Sequence, residues 1–113
     1  MTDKGMKESE VLSWTLEILR SHNIFCWRQN TGAFKTQNGG FFRSSRAGVA
    51  DIIGCLPDGR FLAIECKRQK GGKVSKAQND FLLEVADNNG VALVVSDPAK
   101  FILEIERLIG EEN

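Results

Sequence analysis

The sequence predicts an α/β fold: a small mixed β-sheet flanked by helices, in the order α-β-β-β-α-β-α, as a single domain over residues 1–113. Three observations predict it. Apolar residues recur at helical spacing in three separate segments. Short runs rich in β-formers lie between them. Two of these runs are joined by a tight turn, and two by a helical segment, so the sheet needs both antiparallel and parallel pairing.

The elements follow in order. "KESEVLSWTLEILRSH", residues 7–22, reads as an amphipathic helix. Val11, Leu12, Leu16 and Leu19 form its stripe, flanked by Thr15 and Ile18, and Asn23 is a fitting C-terminal cap. "IFCWRQN", 24–30, reads as a strand. "TGAFKTQNGGFFRSSRAGVA", 31–50, reads as a long loop or irregular hairpin turning at "QNGG". "DIIGCL" and "RFLAIECK" are two strands joined by "PDG", where proline presets φ and glycine accepts a positive φ. "SKAQNDFLLEVADNNG", 75–90, is a helix with Ser75 as N-cap, Phe81, Leu82 and Val85 as its apolar face, and Asn89 or Gly90 as its end. "VALVVS", 91–96, is a continuous apolar strand of the kind covered on both faces. Pro98 opens a last helix over 98–109, with Phe101, Ile102, Ile105, Leu108 and Ile109 toward the core.

Composition narrows the function classes. A hydrophobic content of 42% argues for a packed core, and the longest apolar run, "VALVV", is too short to span a membrane. The polar N-terminus "MTDKGMKESE" lacks a signal-peptide core, so a cytoplasmic protein is expected. Cys26, Cys55 and Cys66 are an odd set without CxxC spacing, which argues against disulfides and structural zinc and for small core residues. His22, beside Arg20 at a helix end, is expected to be solvated. The formal net charge is zero, yet residues 20–76 carry eleven Lys/Arg against three Asp/Glu, a net of +8. Such a middle is either a solvated surface or the footprint of a polyanion-binding face.

The three acids within that basic middle include Asp51 and Glu65, both in apolar surroundings. Strand alternation puts Leu62, Ile64 and Cys66 on one face and Phe61, Ala63, Glu65 and Lys67 on the other. Glu65 and Lys67 are then roughly 6.5–7 Å apart along the strand. The hairpin brings Asp51 across from about Glu65. Two readings stay open from these residues alone. Asp51–Lys67 and Glu65–Arg ion pairs would be structural. Alternatively, two adjacent carboxylates would hold a hard divalent cation, and Lys67 would orient a water and stabilise charge developing on a phosphate.

"GVAD", thirteen intervening residues and "ECK" together resemble the bipartite motif of the PD-(D/E)XK nuclease superfamily. "KESEV", "WRQNTG", the Gly48-to-Asp51 spacing, "LPDGRFLAIECK" and "SKAQ" are similar to its VRR-NUC (virus-type replication-repair nuclease) branch over about residues 7–96. One departure is Ala50, where the family usually has proline. The resemblance implies a restriction-endonuclease-like core and a Mg²⁺- or Mn²⁺-dependent DNA endonuclease. It implies Asp51 and Glu65 as metal ligands, the Cys66 carbonyl as a third, and Lys67 as the catalytic lysine. Gln78 would be an active-site polar residue steadying Lys67 or the water. A first-helix glutamate would add a ligand; Glu8 is favoured over Glu10 because it lies three and four residues before Val11 and Leu12.

Arg28, Asn30, Arg43 and Arg46, with Arg68, Lys70 and Lys73 of the basic loop, are candidate nucleic-acid contacts. Phe34, Phe41 and Phe42 are expected in the core or at a dimer contact. Compact members of the superfamily tend to act as homodimers on branched DNA, which implies a phage or bacterial enzyme cutting Holliday-junction or flap-like substrates. The rival readings are a non-catalytic nucleic-acid-binding module and a restriction or nickase component acting with partner subunits.

Overall fold

The computed structural model describes residues 4–29, 33–35, 41–43 and 46–110. The first helix, α1 (Glu8–Ser21), is followed by strand β1 (Phe25–Arg28) and two short strands, β2 (Ala33–Lys35) and β3 (Phe41–Arg43). Then come β4 (Ile52–Cys55), β5 (Phe61–Cys66), helix α2 (Lys76–Asp87), β6 (Val91–Val95) and helix α3 (Pro98–Ile109). Four strands form a mixed sheet in the order β1-β4-β5-β6, antiparallel except for the parallel β5–β6 pair. The expected hairpin within 31–50 exists as a separate β2–β3 pair. Its expected turn, "QNGG", lies outside the described residues, and so does Asn30.

The alternation read from "RFLAIECK" separates two cores. Leu62, Ile64 and Cys66 face α1 and α3, packing with Val11, Leu12, Leu16, Leu19, Phe101 and Ile105. Ala63 faces α2 and packs with Ala50, Ile53, Leu82 and Val85. The helix stripe of α1 is buried as its spacing predicts, with Thr15 fully buried and its hydroxyl donating to the Val11 carbonyl at 2.7 Å.

The 57–59 turn forms as its chemistry dictates. Gly59 takes φ +94°, its N–H donates to the Leu56 carbonyl, and Leu56 donates to Arg60. That turn sets the register Ile52↔Ile64 through Cys55↔Phe61. Ser75 caps α2 by accepting from the Gln78 N–H.

Three expectations need correction. Strand β6 is an edge strand whose two faces are unequally covered: Val91, Leu93 and Val95 pack on the α1/α3 side and Ala92 on the α2 side, but Val94 on that second side is 48% exposed. Its apolar run reflects packing against both cores, with the α2 side left partly open at Val94. On α3, Phe101 and Ile105 are buried but Ile102 is exposed, because it lies about 100° round the helix from its neighbour Phe101. His22 is not simply solvated. Its Nδ1 lies 2.8 Å from the Ile18 carbonyl and its Nε2 3.8 Å from Glu106 of α3.

Candidate metal centre

The β4–β5 register runs one residue past the ladder and sets Asp51 opposite Glu65. Asp51 is held from two sides. Its carbonyl accepts from Gln29 N–H at 2.7 Å, and its Oδ2 accepts from Cys66 N–H at 2.8 Å. The carboxylate is thereby fixed between β1 and β5. Glu65 stands in the second-to-last position of β5, flanked by β4 and β6, and is only 1% exposed. The two acids therefore meet at one end of the sheet, as the turn geometry predicts.

A carboxylate buried beside another carboxylate resists ionisation. Burial comes first, and contact with the Asp51 carboxyl second, in pushing Glu65 from 4.5 up to about 8; Lys67 opposes the shift. Oε2 of Glu65 is buried and receives no hydrogen bond. Either a proton shared with Asp51 or a cation would satisfy it. Two facing carboxylates with an unsatisfied oxygen are a fitting donor set for a hard divalent ion that keeps most of its waters. Among the described residues, no three His, Cys, Asp or Glu side chains converge as one metal-binding group. Glu8, exposed on the first turn of α1, is near enough for its charge to act on Glu65.

Oε1 of Glu65 has two neighbours. Gln78 Nε2 donates to it at 2.9 Å, and Lys67 Nζ lies 3.9 Å away. Gln78 therefore holds Glu65, not Lys67. Its own Oε1 accepts from Ser75 N–H at 2.8 Å, so one side chain both caps α2 and orients the buried acid. The pairing expected of structural ion pairs, Asp51 with Lys67, is absent: Asp51 takes a backbone N–H instead.

Gly48 explains the glycine three residues before the aspartate. It adopts φ +80°, and a Cβ there would lie 2.3 Å from the Ala77 carbonyl oxygen and 2.8 Å from Gln78 N. The segment entering Asp51 thus lies directly on the first turn of α2. Only glycine allows both the conformation and the approach. Ala50, where the family usually has proline, is fully buried in the α2-side core.

Lys67, with its side chain 13% exposed, opens onto a cleft of about 440 Å³ lined by Glu8, Lys67, Arg68, Gly71, Gly72 and Lys73. Glu8 reaches this cleft because Met6 is clasped to Gln69. Met6 N–H donates to Gln69 Oε1 at 2.8 Å and Gln69 N–H donates to the Met6 carbonyl at 3.0 Å. Glu10 instead turns its Oε1 back to Lys7 N–H at 3.0 Å.

The basic candidates disperse. Arg68 donates to the Gly71 carbonyl at the cleft, beside Lys73, whereas Lys70 borders a neighbouring hollow with Lys4 and Glu10. Arg28 pairs with Ile52, so alternation sends it to the α1 face, opposite Glu65. Arg46 lies 2.8 Å from Glu84 and over the Phe81 ring, so its charge is matched on α2. Arg43 lies in β3, and only its backbone is described, as with Phe34, Phe41 and Phe42. Cys66 sits in the α1-side core, where burial pushes its thiol up to about 12.

A mixed sheet flanked by helices, with two acids meeting at its end and a lysine two residues beyond the second, defines a PD-(D/E)XK-like core. Residues 6–96 match the VRR-NUC domain family, and the chain belongs to that nuclease family. No curated protein and no solved structure matches it. Among the described residues, no helix is long and apolar enough to cross a membrane.

Proposed function

We propose that this protein is a divalent-metal-dependent DNA endonuclease, hydrolysing phosphodiester bonds in branched or flapped DNA as a homodimer. Asp51 and Glu65 would hold Mg²⁺ or Mn²⁺, with the Cys66 carbonyl and Glu8 as further oxygen donors. The ion supplies charge neutralisation and a water of lowered pKa. The observation that carries this reading is half-buried Asp51 beside buried Glu65, whose Oε2 no protein donor satisfies.

The chain's own groups supply the rest. Gln78 fixes the Glu65 oxygen nearest Lys67 and so sets where the ammonium sits. Lys67, one side-chain step from the pair, is placed to orient an attacking water and to stabilise charge growing on the phosphate. Arg68 and Lys73 line the approach to it, where a DNA backbone would lie. Membership of the VRR-NUC family supports selection by DNA structure over sequence reading.

The test is cleavage of labelled four-way junction, flap and linear duplex with Mg²⁺ or Mn²⁺, beside Asp51→Asn and Lys67→Ala. The wild type is expected to cut a branched substrate, and each variant to lose about a hundred-fold or more. Binding without cutting in either metal would favour the non-catalytic module. Cutting of linear duplex at one sequence would favour a restriction component. Sedimentation, and mixtures of active and inactive protomers, test the dimer.

A further inference from the structure

Two large aromatic side chains lie open on the edge strand next to the acidic pair. Phe25 is 71% and Trp27 43% exposed, and their ring centres are 5.6 Å apart at a tilt of 52°. Their face is fixed by register. Phe25 pairs with Cys55 and Trp27 with Ile53, which in turn pairs with Ala63 of the α2-side core. The next position on that face is Gln29, whose N–H binds the Asp51 carbonyl. Phe25, Trp27, Asp51 and Glu65 therefore share one side of the sheet.

Helix α2 covers β5 and β6 on that side, and the two rings of β1 stay open. Trp27 lies one pleat step from the Asp51 level, roughly 7 Å along the strand and about 5 Å across. Its indole N–H already donates to Gln29 Oε1 at 3.0 Å. What Trp27 still offers an occupant is its apolar ring.

Exposed aromatic surface of this size calls for a partner. A second copy of the chain seated on Trp27 would crowd the mouth of the adjacent acidic pair. The substrate itself does not have that conflict. Inside a duplex each base face is covered by its neighbours, so an unpaired base stacks on a side chain without the cost of unstacking. Arg68 and Lys73, on the cleft that Lys67 opens onto, supply the matching attraction for the backbone.

We infer that Phe25 and Trp27 form a stacking platform for an unpaired nucleobase next to the phosphate at the Asp51–Glu65 pair. This rests on the nuclease reading and sharpens it: the preferred substrate carries single-stranded nucleotides at the cut, as a flap or splayed arm does, rather than a fully paired junction.

The test measures binding of the full chain in a chelator, so that cutting does not interfere. Labelled oligothymidylate, a flap and a blunt duplex are compared for wild type, Trp27→Ala, Phe25→Ala and Trp27→Phe. Trp27→Ala is expected to weaken oligothymidylate and flap roughly ten-fold and to leave blunt duplex within about two-fold. Trp27→Phe keeps an aromatic face and should restore most of the loss. In a Trp14→Phe background, Trp27 fluorescence should be quenched by oligothymidylate.

Equal losses on all three DNAs, or unchanged oligothymidylate affinity in Trp27→Ala, would overturn the platform. A dimer that dissociates in Trp27→Ala would overturn it too, by giving the rings to a second copy. Cleavage by the wild type in Mg²⁺ is scored separately. A cutting enzyme whose Trp27→Ala variant binds single strands normally loses the platform and keeps the nuclease reading, and a chain that cuts nothing loses the nuclease reading alone.

Discussion

Gln78 holds Glu65: its amide nitrogen donates to Oε1 at 2.9 Å while its amide oxygen accepts from the Ser75 N–H that begins the same helix. A helix cap and a buried acid are thus adjusted by one side chain. In Gln78→Ala, Glu65 loses the one neutral donor it has among the described residues. Because partners that orient a ligand typically contribute ten- to a hundred-fold, metal affinity and cleavage should fall by about that factor. Isothermal titration with Mn²⁺ and a rate measurement would show it; an unchanged metal affinity would sink the idea.

Stability should depend on pH through Glu65. Its folded value is raised from 4.5 to about 8, so the folded state holds a proton that the unfolded state releases. That contribution is fully present below about 4.5 and is lost as pH rises through about 8. The metal-free protein should therefore become easier to unfold with urea across that window, and Glu65→Gln should flatten the slope. A slope of the same size in Glu65→Gln would remove the assignment.

Gly48→Ala should damage stability and cutting together. The new methyl would meet the Ala77 carbonyl at 2.3 Å with φ at +80°. A loss of about 2–3 kcal/mol in urea unfolding is expected. Since the displaced turn carries Gln78, the remaining folded protein should also cut more slowly at saturating metal. Full activity per folded molecule would separate Gly48 from the site.

The two first-turn glutamates should part company. Glu8 lines the cleft with Lys67, and Glu10 closes the start of its own helix. Glu8→Ala should raise the Mg²⁺ concentration needed for half-maximal cutting and leave the melting temperature alone. Glu10→Ala should do the opposite, costing below about 1 kcal/mol in stability. The reverse pattern would make Glu10 the one that serves the ion.

Salt should reveal which cations meet DNA. If Arg68 and Lys73 contact phosphates at the cleft, a double alanine variant should lower the slope of log affinity against log salt by about 2. Arg46→Ala, whose guanidinium is matched by Glu84, should change it little. Equal slopes for all three proteins would move the DNA elsewhere.

Much of this arrangement was legible because it depends on counting. The 57–59 turn and the two-residue alternation place Asp51 opposite Glu65 without any knowledge of the core. Helix ends were legible from Ser75, Asn23 and Pro98, whose backbone preferences are local. Contacts between elements distant in sequence were not. Nothing in "RAGVAD" announces that Gly48 lies on α2, and nothing in Gln78 says which of two charged groups it will reach. The exposure of Val94 and Ile102 was hidden for a related reason: an apolar residue reports its own preference and not how many elements arrive to cover it.

The clasp between Met6 and Gln69 joins positions 63 residues apart in the chain. It fastens the segment ahead of α1 to the rim of the cleft that Glu8 and Lys67 share. A purification handle or fused module spliced immediately ahead of Met6 would tug on that fastening and tilt Glu8. Changes beyond α3 would leave that fastening alone, since among the described residues no such tether joins α3 to the acidic pair.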